Sequence, residues 1–171
     1  QFWYGMVATN EFDNAWMDEG FNTYSTARVI ATEKIGPFAA TERYFGGFVP
    51  WTYRDATWTR EITGDRLDAY RAAANRDVPS TPSWQYWPGT ASAITYNKTA
   101  LWLNTLERLL AWETTQKILA THFARGALQH PTPEQFCAIA NERSGTDTPL
   151  FFSAGYRPHA LVGLSRAPRQ A

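Results

Sequence analysis

The stretch Asn14-Ala15-Trp16-Met17-Asp18-Glu19-Gly20-Phe21-Asn22-Thr23-Tyr24 decides how this chain is read. Taken as a helix, it joins a row in which Phe12, Trp16, Thr23, Ala27 and Ile30 recur at three- and four-residue steps, so these side chains share one apolar stripe. Glu19 falls inside that stripe, three residues after Trp16 and four before Thr23. A carboxylate held against a core must be neutralised, hydrogen-bonded or bound to a metal, because an unpaired buried charge is very costly. A salt bridge to an arginine and ligation of a metal are both open on periodicity alone.

Outward from this helix the pattern stays helical. The first helix is predicted over Asp13 to Lys34, ending at Gly36-Pro37, a C-terminal glycine followed by a residue that cannot continue it. Between Phe38 and Pro88 the periodicity is weak, with Gly46-Gly47, Pro50, Pro79, Pro82 and Pro88 as breakers and one helix expected over Asp65 to Arg76. A strong helix is predicted from Ser92 to Ala111, its core row Tyr96, Thr99, Leu103, Leu106 and Leu110, flanked by Trp102 and Leu109. Another runs over Thr114 to Arg125 with Ile118, Leu119, His122 and Phe123. The last follows Thr132-Pro133-Glu134-Gln135, where Thr caps, Pro takes the first turn and Gln reaches back as a capping box, and it ends at Gly145. The fold class expected is all-α, held by helix-on-helix packing.

Composition narrows the function classes. The 171 residues suit one domain with a substantial core. Sixteen basic and sixteen acidic residues cancel, so nothing points to nucleic acid or an anionic membrane surface as partner. No apolar run approaches the roughly 20 residues that span a bilayer, and the start does not read as a signal peptide. The single cysteine, Cys137, excludes an internal disulfide and sits beside Phe136 and Ile139, the setting of a buried, inert thiol. Eight Trp and 15% aromatics are high, and predict surface that packs against further protein.

The run Gln1 to Tyr24 resembles, without a gap, the segment following the H-E-x-x-H motif of the membrane alanyl aminopeptidase family, the thermolysin-like (gluzincin) zinc peptidases. In that family the second motif histidine is followed by aromatics, then Val, then W-L-N-E-G-F, whose Glu is the third zinc ligand. Gln1 to Asp18 are eighteen residues, the family's spacing between that histidine and that Glu, which would place the missing histidine immediately before Gln1. The resemblance implies zinc in the intact enzyme, with Glu19 as ligand and a peptide as substrate. None of His122, His130 and His159 lies in an H-E-x-x-H pattern. The chain therefore reads as the helical downstream part of a catalytic domain, inactive and without zinc by itself.

Tyr96-Asn97-Lys98-Thr99-Ala100 looks like the family's Y-x-K-G segment, in which the Tyr hydroxyl donates to the oxyanion formed at the scissile carbonyl. Leu106 to Arg125 resembles the family's leucine-rich helix pair, and Pro133 to Asp147 its threonine-capped helix closing in Gly-x-Asp. The likeness covers about Gln1 to Lys34 and Ala93 to Phe152; the middle is not recognisable. There are departures. Tyr4-Gly5 replaces Gly-Asn, Asp18 replaces Asn, and Thr99 replaces Gly. Thr26 stands where an acid often orients the zinc ligands, which bears on their tuning.

Other polar residues carry less. His122, on an apolar face, reads as a core histidine; His130, before Pro131, as an exposed loop residue; Arg54, Asp55, Arg60 and Glu61 as a charged surface segment. Residues 1–156 are read as a partial peptidase domain and 157–171 as a flexible tail. With the zinc-motif helix missing, the Glu19 helix loses cover, which predicts a homodimer or a folding back of Gln1 to Glu11 over the gap. A second reading from another class stays open: a non-catalytic helical module that keeps the scaffold and binds a peptide or partner.

Overall fold

A computed structural model describes residues 2–32, 65–146, 148, 151–152 and 155. Among them all regular structure is helical: α1 (Phe2–Met6), α2 (Glu11–Thr32), α3 (Asp65–Ala73), a 3-10 turn (Ser83–Gln85), a π-helix (Ala93–Lys98), α4 (Thr99–Leu110), α5 (Trp112–Gly126) and α6 (Pro133–Ser144). The chain is thus all-α over this extent. No described helix is long and apolar enough to cross a membrane. The segment Arg54 to Glu61 and the tail 157–171 lie outside the described residues.

The start of α2 is built by Asn10. Its side-chain oxygen accepts from the Phe12 N–H at 3.1 Å, and its amide donates to Asp13 at 2.7 Å. Glu11 and Asp13 add negative charge where the helix dipole is positive. At Asn14 the backbone leaves helical geometry, with φ −138° and ψ 43°. This kink corrects the expected apolar stripe. Residues before it are rotated out of register with those after it, so Phe12 is 72% exposed and lies tilted against Trp84 with ring centroids 6.4 Å apart. The buried face of α2 is Trp16, Met17, Asp18, Gly20, Phe21, Tyr24 and Ala27. Glu19 and Thr23 flank that face, half-buried.

The core lies between α2, α4, α5 and α6. Phe21 meets Phe136 edge to face at 4.9 Å and Trp16 meets Trp102 at 5.6 Å, around Leu103, Leu106 and Ile118, all fully buried. Tyr24 and Arg28 of α2 both reach Glu107 of α4, and the Arg28 guanidinium lies over the Trp112 ring at 3.2 Å, which ties α2 to α4 and α5. The amino-terminal residues fold back along α2: Trp3 and Val7 are buried, the Trp3 N–H donates to Asn22 at 3.2 Å, and its indole donates to Ser25 at 2.9 Å.

The expected single helix over Ser92 to Ala111 is two elements. A π-helix precedes α4, and Ala111 closes α4 with φ 65° and ψ 161°. Thr99, Leu103 and Leu106 are buried as the core row requires, but Tyr96 is 38% and Leu109 59% exposed. Wider winding over Ala93–Lys98 is what turns Tyr96 off that row. The capping box is present: Thr132 accepts from the Gln135 N–H, Gln135 accepts from the Thr132 N–H at 2.8 Å, and Gly145 ends α6 in the left-handed region at φ 62°.

Candidate active site around Glu19 and Tyr96

On α2 the polar residues Glu19, Asn22, Thr23 and Thr26 stand at helical spacings of three and four, and so share one face. That face opens into a cavity of about 610 Å³. Tyr4 of α1, Glu11 at the head of α2, Arg66 of α3 and Tyr96 of the π-helix complete its lining. The two residues singled out in the sequence, Glu19 and Tyr96, are thereby brought to one site from distant parts of the chain.

Electrostatics couple them. The Tyr96 hydroxyl is pushed up to about 12, first by burial, then by hydrogen bonding and charge from Glu19, with Glu11 adding a smaller push. The phenol is therefore a neutral donor throughout the physiological range. Glu11 is itself raised, by burial and then by Glu19. Its carbonyl accepts from the Ser83 hydroxyl, which anchors the head of α2 beside the cavity.

The carboxylate held in the core is Asp18, not Glu19. Asp18 is fully buried, and Thr9, through its backbone and side chain, is its hydrogen-bonding neighbour. Burial, then Glu11 and to a lesser degree Glu19, push it up to about 7, while Thr9 pulls it partly back. Lys98, next but one to Tyr96, is half-buried and lies 5.5 Å from the Tyr70 ring centre; burial lowers its pKa.

Three residues lie away from this site. His122 is 1% exposed, stacked on Trp3 and edge-on to Phe136, and burial holds it down at about 4, a neutral core imidazole. His130 is exposed in a positive-φ loop conformation with Nδ1 against the Ala8 carbonyl. Cys137 is a partly buried thiol pushed up to about 12, mainly by burial, and so holds its proton.

Among the described residues no three or more His, Cys, Asp or Glu side chains gather as a metal-binding group. Glu19 fits the part of one carboxylate ligand: it faces a roomy polar cavity with a neutral hydroxyl beside it. A catalytic zinc takes three protein ligands, so two others would have to come from beyond these residues. Sequence reasoning missed Glu11, Arg66, Asn22 and Thr23. The last two were within reach, since they lie three and four residues beyond Glu19; Arg66 comes from a segment without a readable pattern. Of the departures from the resembled family, Tyr4 and Thr26 both line the cavity.

No family model, no curated protein and no solved structure matches this chain.

Proposed function

We propose that this chain is part of a zinc-dependent aminopeptidase that hydrolyses N-terminal peptide bonds, with Glu19 as third zinc ligand and Tyr96 as oxyanion donor. The observation that carries this reading is the convergence of Glu19 and Tyr96 on one 610 Å³ cavity. The W-x-x-E-G-F and Y-x-K segments were recognised separately in the sequence, and chance matches would have no reason to meet. The remaining ligands, and the general base, would come from an H-E-x-x-H motif preceding Gln1.

In such a site zinc, when bound, polarises the scissile carbonyl and activates water. The chain's own residues do the rest. Tyr96 keeps its proton at neutral pH and offers it as a hydrogen bond to the oxygen on which negative charge develops. Asn22, Thr23 and Thr26 line the same wall; the Asn22 amide donates to the Asp18 carbonyl at 3.0 Å and the Thr23 hydroxyl to the Glu19 carbonyl at 2.7 Å. Trp3 holds the Asn22 side chain through its backbone N–H, so that residue is presented in one orientation.

In the full-length protein, Glu19→Ala is expected to abolish both zinc binding and peptidase activity. Tyr96→Phe is expected to leave zinc bound and to cut turnover roughly a hundredfold or more, the scale of losing one oxyanion donor. Near-normal turnover in Tyr96→Phe would refute its role. The non-catalytic scaffold module is the second reading, favoured by Thr26 and Thr99 at positions where the family carries an acid and a glycine. A coding sequence without H-E-x-x-H before Gln1 would select it.

A further inference from the structure

Gly20 directly follows Glu19, and Thr99 comes three residues after Tyr96. A Cβ on Gly20 would stand 2.2 Å from Thr99 Cγ2, 2.3 Å from Thr99 Cβ and 2.8 Å from the Thr95 carbonyl oxygen. Carbon atoms do not approach so closely, so α2 and the π-helix can lie this near only with glycine at this position. Thr99 fills the notch and is 1% exposed. Its hydroxyl donates to the Ile94 carbonyl at 3.3 Å, five residues back, and its N–H bonds to the Tyr96 carbonyl. Thr99 therefore contacts the Glu19 helix through its methyl group and the turn bearing Tyr96 through its hydroxyl and amide.

We infer that Thr99, seated against Gly20, is a positioning residue that sets the Tyr96 hydroxyl against the Glu19 carboxylate. The geometry requires it to act this way. The methyl fixes the separation of the two helices, and the hydroxyl and amide bonds hold the wide turn that points Tyr96 into the cavity. A shift of a few tenths of an ångström at the notch passes directly to the relative placement of Tyr96 and Glu19, which line the same cavity.

The inference rests on the reading that Glu19 and Tyr96 serve one site, but its test needs neither metal nor activity, so it fails or stands separately from the zinc assignment. In isotopically labelled chain, magnetisation transfer between the Tyr96 ring protons and the Glu19 methylenes is measured beside thermal unfolding. Gly20→Ala is expected to reduce that transfer to roughly half or less as the helices part. If Gly20→Ala does not fold, Thr99→Ser decides, since it keeps the hydroxyl and removes the methyl: weakened transfer supports the inference and unchanged transfer overturns it. A lowered melting temperature with unchanged Tyr96–Glu19 transfer would make the contact ordinary packing.

Discussion

Asp18 carries a carboxyl into the core, and burial there raises its pKa to about 7. The sequence located a carboxylate on the buried side of α2 and chose Glu19, because Phe12, Trp16 and Thr23 bracket it at helical steps. That choice took Thr23 as a core position; the kink at Asn14 takes only Phe12 off the row, and after it the buried face runs through Met17, Gly20, Phe21, Tyr24 and Ala27, with Glu19 and Thr23 on its flank. Asp18 goes into the core and Glu19 turns to the cavity. Burial has a consequence for pH. Asp18 rises from 3.8 to about 7, so between those values the folded chain holds a proton that the unfolded chain has released. Its contribution therefore weakens stability as pH rises through that window, and the penalty is complete above it. His122, held down at about 4 from 6.5, has the opposite sign and costs stability as pH falls through its own window. At pH 8 His122 is neutral in both states, which isolates Asp18. Asp18→Asn, the residue usual in the resembled family, is expected to stabilise the chain at pH 8 by about 2 kcal/mol and, by leaving the His122 loss unopposed, to make stability fall more steeply toward pH 4. Denaturant unfolding of both proteins at the two pH values checks this; a destabilised Asp18→Asn at pH 8 would mean that the Thr9 hydrogen bonds outweigh the cost of burial.

At the scale of elements, what was legible is what local chemistry dictates. Thr132, Pro133, Gln135 and Gly145 each act through their own backbone neighbourhood, and α6 begins and ends where they say. The wide turn before α4 was not legible, because apolar spacing alone does not separate a π-helix from one more α-turn, and it lies where Thr99 and Thr95 pack against Gly20 of α2. Ala111 was likewise read as the last residue of a helix. Instead it takes φ 65° and ψ 161°, a region that only glycine occupies without strain. Ala111→Gly is therefore expected to stabilise the chain by about 1 kcal/mol, the relieved strain exceeding the added flexibility of the unfolded chain. A melting temperature lower than that of the parent would contradict this account of the α4–α5 junction.

For the whole molecule, the all-α class followed from periodicity, and the aromatic excess has a physical outcome. Trp3, Trp16, Phe21 and Phe136 build the core, whereas Phe12, Trp84 and Trp87 are more than half exposed. Which of them faced water depended on the kink at Asn14 and on the breaker-rich segment between Pro79 and Pro88, neither of which periodicity resolves. The site was legible only as two residues. Its cavity needs α1, α3 and the head of α2, and no spacing rule connects Tyr4, Glu11 and Arg66. The central claim is that Glu19 and Tyr96 face one zinc ion in the full-length protein. An anomalous-difference map at the zinc edge, from crystals of that protein, tests it most directly. The account predicts one strong peak in this cavity at about 2.0–2.2 Å from a Glu19 carboxylate oxygen, on the side that Tyr96 lines, with two histidines completing the ligands. A tightly bound zinc elsewhere with Glu19 unligated, or a full-length protein that takes up no zinc, would contradict it.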